Sequence, residues 1–247
     1  MIVIHIDSQK DTAFLKDCYK GIDNIILLYN PTKAEVNKTL QDNPDEDVMM
    51  LGHGSPSGLF SCDWRGNVID ATNAHLLKGR NCIGIWCWAK VFARNYGLKG
   101  YFTSMFISNE GEARAYGYKA DDKEVFEEVA FFSKSINTLV KDHCPYEEWV
   151  GRLRSIANVN KPFVKYNYDG MEYFDGTQQP KFSGLMDTPL WGNEDTEVEY
   201  EEDEDEDARS FFEDYCYEHG IEGEWATELA WPIFLAGWNS YKMAEGI

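Results

Sequence analysis

The chain is short of positive charge. It has 23 Lys and Arg against 43 Asp and Glu, a formal net charge of −20 over 247 residues. Such a surface repels phosphate, which argues against direct binding to nucleic acid or an anionic membrane and leaves basic proteins and peptides as compatible partners. Long apolar runs are also missing: no window approaches the roughly 18 residues that a membrane helix needs. The start, Met1-Ile-Val-Ile-His-Ile-Asp7, lacks a basic stretch and a small-residue cleavage site, so it reads as a strand rather than a signal peptide. A cytoplasmic protein without a membrane span is expected. There is no P-loop and no GxGxxG, which argues against a nucleotide enzyme. The six cysteines (Cys18, Cys62, Cys82, Cys87, Cys144 and Cys216) form no Cys-x-x-Cys pair, and none stands with a histidine at zinc-ligand spacing. No metal and no cofactor is therefore expected. With 43% apolar residues the chain can build a core without disulfides, and reduced thiols are the expectation.

What is present is an alternation of short apolar runs and helical patterns. Strands are read at residues 2–7, 24–29, 48–51, 82–88 and 101–108, with helical spacing at 10–20, 32–41, 70–78 and 89–96 between them. Thr32 with Glu35 three residues on is a capping-box signature, and Gly97 ends the last of these helices. Runs apolar on both faces and separated by helices imply a parallel sheet covered on both sides, a three-layer α/β/α sandwich. Right-handed crossovers then bring the strand C-termini to one edge. Beyond the last strand, Glu124–Val140 reads as an amphipathic helix with Val125, Phe126, Val129, Phe132, Ile136 and Val140 on one face. Tyr146–Ile156 reads as another helix, Phe163–Phe174 as a hairpin turning at Asp169-Gly170, and the segment 178–193 as turn-rich.

Charge divides the remainder. Between Glu194 and Asp207, 11 of 14 residues are acidic. Such a run is a solvated linker by composition, or a strip for a basic partner. The expected organisation is an α/β domain over 1–190, an acidic linker over 191–207 and a helical hairpin over 208–247 carrying Phe211, Phe212, Tyr215, Leu229, Phe234 and Trp238.

Two residues suggest chemistry. Gly52-His53-Gly54 follows the third strand, and Cys87 closes the fourth just before a helix. Ligands of open α/β sheets bind at that carboxyl edge. A thiol at a helix N-terminus forms its thiolate more readily, and an imidazole within reach activates it or protonates a leaving amine. His5, His75, His143 and His219 read as structural. Ser108, Asn109, Glu110 and Glu112 come to the same edge after the fifth strand, to orient a substrate or cap the next helix.

A strand ending in His-Gly followed by a strand ending in Cys resembles the caspase-like cysteine peptidases, over about residues 1–110. Trp86-Cys87-Trp88-Ala89 stands where caspases have Gln-Ala-Cys-Arg-Gly. The resemblance implies an α/β/α fold and cleavage of a peptide bond in a protein or peptide substrate. It implies a His53–Cys87 dyad and an oxyanion hole built from the backbone N–H groups of Gly54 and Cys87. Asp7, Asp63 and Glu110 are the candidates to meet a basic substrate side chain. Two alternatives stand beside it: the same fold as an inactive interaction or regulatory module, or an unrelated α/β domain in which His53 and Cys87 are structural.

Overall fold

The computed structural model describes residues 1–7 and 10–178. The turn-rich stretch past 178, the acidic linker, the helical hairpin and Cys216 lie outside the described residues.

The first half of the chain follows the alternation read from sequence. Strand β1 (Ile2–His5) leads through a 3-10 turn (Lys10–Cys18) to β2 (Ile26–Tyr29). Helix α1 (Lys33–Asp42) opens on the expected capping box: Thr32 Oγ1 accepts from the Glu35 amide, and the Glu35 carboxylate accepts from the Thr32 amide at 2.8 Å. Its other end is closed by Arg80, whose guanidinium donates to the carbonyls of Leu40, Asn43 and Glu46. Leu40 lies in the last turn, where carbonyls have no partner within the helix itself, and Asn43 and Glu46 belong to the chain that leaves it. Strand β3 (Val48–Leu51) then matches the sequence reading residue for residue.

The connection after it is not a bare loop. It holds β4 (Gly54–Ser55), β5 (Gly58–Phe60) and β6 (Asn67–Ile69), a small antiparallel sheet. The helix expected over 70–78 shrinks to a 3-10 turn, Ala74–Leu77. Local polar bonds win there: the Asp70 carboxylate accepts from the Thr72 amide and hydroxyl, and the Asn73 amide group bonds the Val68 carbonyl and the Asp70 N–H.

Strand β7 (Asn81–Ile85) stops short of the 82–88 reading. Helix α2 (Ala89–Tyr96) ends, as expected, at a left-handed Gly97, and β8 (Lys99–Phe102) gives way to a loop before residue 108. Next come α3 (Glu110–Ala115) and α4 (Asp122–Lys141), then a 3-10 turn (Tyr146–Glu148) that runs into α5 (Trp149–Ile156). On α4, Val125, Val129, Phe132 and Ile136 are buried, but Phe126 lies off that stripe and is 65% exposed.

The hairpin expected over 163–174 is replaced by α6 (Pro162–Asp169) and β9 (Glu172–Asp175). Phe163, Val164, Asn167 and Tyr168 are all buried. That i, i+1, i+4, i+5 set shares a face only on a helix, and Pro162 suits a first helical turn. Asp169-Gly170 thus ends a helix rather than turning a hairpin.

The main sheet has the order β2-β1-β3-β7-β8-β9, with its first five strands parallel and β9 antiparallel to β8. Side chains alternate through it. Val3, Met49, Leu51, Ile83, Ile85 and Tyr101 join one core with residues of α4, α5 and α6. Ile2, Ile4, Val48, Met50, Cys82 and Phe102 join the other with residues of α1 and α2. The fold is an α/β sandwich with helices on both faces of a mostly parallel sheet.

Candidate active site

The parallel ladder sets the geometry of the His and Cys segments. Leu51 of β3 pairs with Ile85 of β7, and the Gly52 N–H donates to the Ile85 carbonyl at 3.2 Å, one step past the strand. His53 and Cys87 each follow two residues after that pair. By the two-residue period they belong to the face of Leu51 and Ile85, while Trp86 belongs to the opposite face. Both line one narrow cleft, with Thr12, Phe14, Phe106, Ser108 and Glu112. Its volume is about 20 Å³, room for roughly one water molecule. A substrate side chain would lie over this cleft rather than inside it.

The two glycines around His53 are required for different reasons. Gly52 has φ +149°, and a Cβ there would come within 2.9 Å of Ile6 Cβ. At Gly54 a Cβ would lie 2.2 Å from Trp86 Cδ1. Trp86 is 2% exposed, packs into the core shared with α1 and α2, and donates its indole N–H to the Ser55 carbonyl at 3.2 Å. One of the two indoles flanking Cys87 is therefore held in that core and pins β4 over the end of the sheet. The other, Trp88, is the left-handed cap residue of α2 with φ +69°.

Cys87 stands just before that cap. The first amides of α2 are already spent: Ala89 N–H donates to the Trp86 carbonyl at 3.2 Å and Lys90 N–H to the Thr103 carbonyl at 2.8 Å. The start of α2 lends Cys87 the positive field of a helix N-terminus. Five described cysteines (Cys18, Cys62, Cys82, Cys87 and Cys144) are in no disulfide. Burial pushes the Cys18 and Cys144 thiols up, and that of Cys82 up to about 12. Cys62 is exposed.

The three acids expected to receive a basic side chain are engaged elsewhere, and none lines the cleft. Asp7 bonds the Tyr29 hydroxyl and pairs with Lys16 at 2.7 Å. Burial works against its charge, but the Lys16 and Tyr29 bonds outweigh it and hold the carboxyl below the usual range. Asp63 lies in an exposed turn, accepting from the Ser61 hydroxyl at 2.6 Å and the Arg65 amide at 3.1 Å, which hold its carboxyl low. Glu110 pairs with Arg114 at 2.9 Å along α3.

The cleft carboxylate is Glu112. Its Oε2 accepts from the Ser108 amide at 2.6 Å and hydroxyl at 3.0 Å, while its own amide donates to Asn109 Oδ1 at 2.8 Å. The helix-capping alternative for this segment thus describes α3 and also fixes one wall of the cleft. His53 itself packs on a residue that the sequence did not mark. Trp64, on the β5–β6 connection, packs its indole against the His53 imidazole with ring centroids 5.2 Å apart. Its signal was the pair of glycines, Gly58 and Gly66, bracketing a run that reads as loop.

Among the described residues, no group of three or more His, Cys, Asp or Glu is placed to hold a metal ion, and no helix is long and apolar enough to cross a membrane. Neither a protein-family model nor a curated protein matches the chain.

Proposed function

We propose that the chain is a caspase-like cysteine peptidase that cleaves a peptide bond through His53 and Cys87. The observation that carries this is the shared register: two adjacent parallel strands deliver an imidazole and a thiol to one cleft at the sheet's carboxyl edge. Its chemistry is acyl transfer. His53 takes the Cys87 proton, and the thiolate attacks the substrate carbonyl carbon. The oxyanion that forms is held by backbone N–H groups, for which Gly54 and Cys87 are the candidates. Collapse of the adduct breaks the C–N bond, the imidazolium gives its proton to the departing amine, and water then hydrolyses the thioester. The wall beside the dyad is largely apolar, with Phe14 and Phe106 stacked at 6.1 Å. A basic substrate side chain would meet Glu112 before it met Asp7, Asp63 or Glu110.

A second reading, the same fold used as an inactive interaction module, draws support from the small volume of the cleft and from the indole packed on His53. Chemical labelling separates the two. With Cys18, Cys82 and Cys144 buried, iodoacetamide near neutral pH has few thiols to choose from in the native protein. Under the peptidase reading Cys87 labels faster than the exposed Cys62, and His53→Ala abolishes the advantage. Slow labelling of Cys87 that ignores His53 sinks it.

A further inference from the structure

We propose that Trp64 is the positioning residue that holds the His53 imidazole toward Cys87, a role that rests on the dyad reading above. His53 stands between two glycines, so neither chain neighbour offers a side chain to restrict its ring. The ring packs instead on Trp64, centroids 5.2 Å apart and planes tilted by 35°. Phe60 backs the indole at 5.4 Å. The support is rigid where it needs to be, because the Phe60 amide donates to the His53 carbonyl at 3.0 Å. The His53 backbone is therefore hydrogen-bonded to the residue whose ring backs the indole that its imidazole packs on.

The indole is not there for core packing, since Trp64 is 46% exposed. Its backbone is left-handed, with φ +60°, a conformation that costs a bulky residue energy and that glycine would adopt freely. The turn is tied in place around it: the Ser61 N–H donates to the Gly66 carbonyl at 2.8 Å, and Asp63 accepts from Ser61 and Arg65. Asp63, read from the sequence as a substrate contact, thus shapes the turn that presents Trp64. A strained, exposed tryptophan against the one histidine of the cleft is what restraint of that ring requires.

The test is the rate of Cys87 alkylation by iodoacetamide, read by peptide mass spectrometry in the full chain. Wild type is compared with Trp64→Ala, Trp64→Phe, His53→Ala and the Trp64→Ala/His53→Ala double variant. Thermal melting checks that each is folded. Trp64→Ala should slow Cys87 labelling roughly tenfold, because small misplacements of a reacting group cost that much or more. Trp64→Phe, which keeps a ring against the imidazole, should restore most of the rate. In the His53→Ala background, Trp64→Ala should add nothing. The positioning role is overturned if Trp64→Ala slows labelling equally in both backgrounds, or if it changes nothing while His53→Ala slows Cys87. If His53→Ala itself leaves Cys87 unchanged, the dyad reading falls first and this role with it.

Discussion

Leu51 and Ile85 are register partners in neighbouring parallel strands, so the two chains leave the sheet in step and His53 and Cys87 emerge at the same level. The spacing of the pair is thereby inherited from backbone hydrogen bonds rather than from loop geometry. What remains free is the direction of each side chain, and that is set by packing immediately around the strand ends.

Gly54→Ala tests that packing. The added methyl would lie 2.2 Å from Trp86 Cδ1 and 2.5 Å from the Gly58 carbonyl oxygen. Overpacking of this kind should destabilise by about 1–3 kcal/mol, read by urea unfolding. Trp86→Phe in the same chain makes room and should recover part of the loss. A neutral Gly54→Ala would mean that β4 is not pinned by the indole.

Arg80→Met removes the guanidinium but keeps the apolar stem. Arg80 is 7% exposed, and its loss strips bonds from the carbonyls of Leu40, Asn43 and Glu46. Leaving buried acceptors unpaired should cost roughly 1–3 kcal/mol per group in the worst case. Hydrogen exchange should rise first in the last turn of α1. Protection there that matches wild type would contradict the capping role.

Asn167→Leu probes the loop that walls the cleft. The Asn167 side chain accepts from the Ile107 amide at 2.7 Å and donates to the Ile107 carbonyl at 2.9 Å, both buried. Leucine satisfies neither, so stability should fall by about 2 kcal/mol, and Ser108 on the same loop should lose its fixed place beside Glu112. Calorimetry measures the first effect, and proteolysis at residues 103–109 the second.

Acid should erode stability through His5. This imidazole is fully buried, bonds the Tyr19 hydroxyl at 2.9 Å and lies edge-on to Tyr19 and Tyr29. Burial lowers its pKa from the ordinary 6.5 to about 4. Between those two values the unfolded chain binds the proton and the folded chain does not, so stability is complete above pH 6.5 and is lost as pH falls toward 4. The loss is about 3 kcal/mol. Denaturant melts of wild type and His5→Phe at pH 7 and pH 4 isolate it, since the variant lacks this term. Equal pH slopes would refute it.

The parts of the fold legible in the sequence are those where one local rule acts alone. Val48–Leu51 is apolar on both faces, Thr32 and Glu35 mark their helix start, and Gly97 marks a helix end. The misreadings came where two periods competed. Phe163-Val-Lys-Tyr-Asn-Tyr168 satisfies an alternating pattern, yet burial chose the helical one, with Asn167 turned inward to bond Ile107. Residues 55–69 carry too few apolar positions to announce strands, but their pairing is what brings Trp64 to His53. At the site, the placement of His53 and Cys87 followed from strand counting. The partners of the acids were legible to different degrees: Arg114 stands four residues after Glu110 and Ser61 two before Asp63, local spacings visible in the sequence, whereas Lys16 reaches Asp7 through a fold that the sequence does not display.

The antiparallel β9 has a consequence for synthesis. It covers the flank of β8, pairing Phe102 with Glu172 and Lys99 with Asp175, across some 70 residues of intervening chain. Until Asp175 has left the ribosome, Gly100-Tyr101-Phe102 is an unsealed and uncharged border. A nascent chain, or a fragment cut before Glu172, carries a strand flank open to a neighbour's backbone. The last strand of the described residues is therefore the one that keeps this flank of β8 from joining another chain.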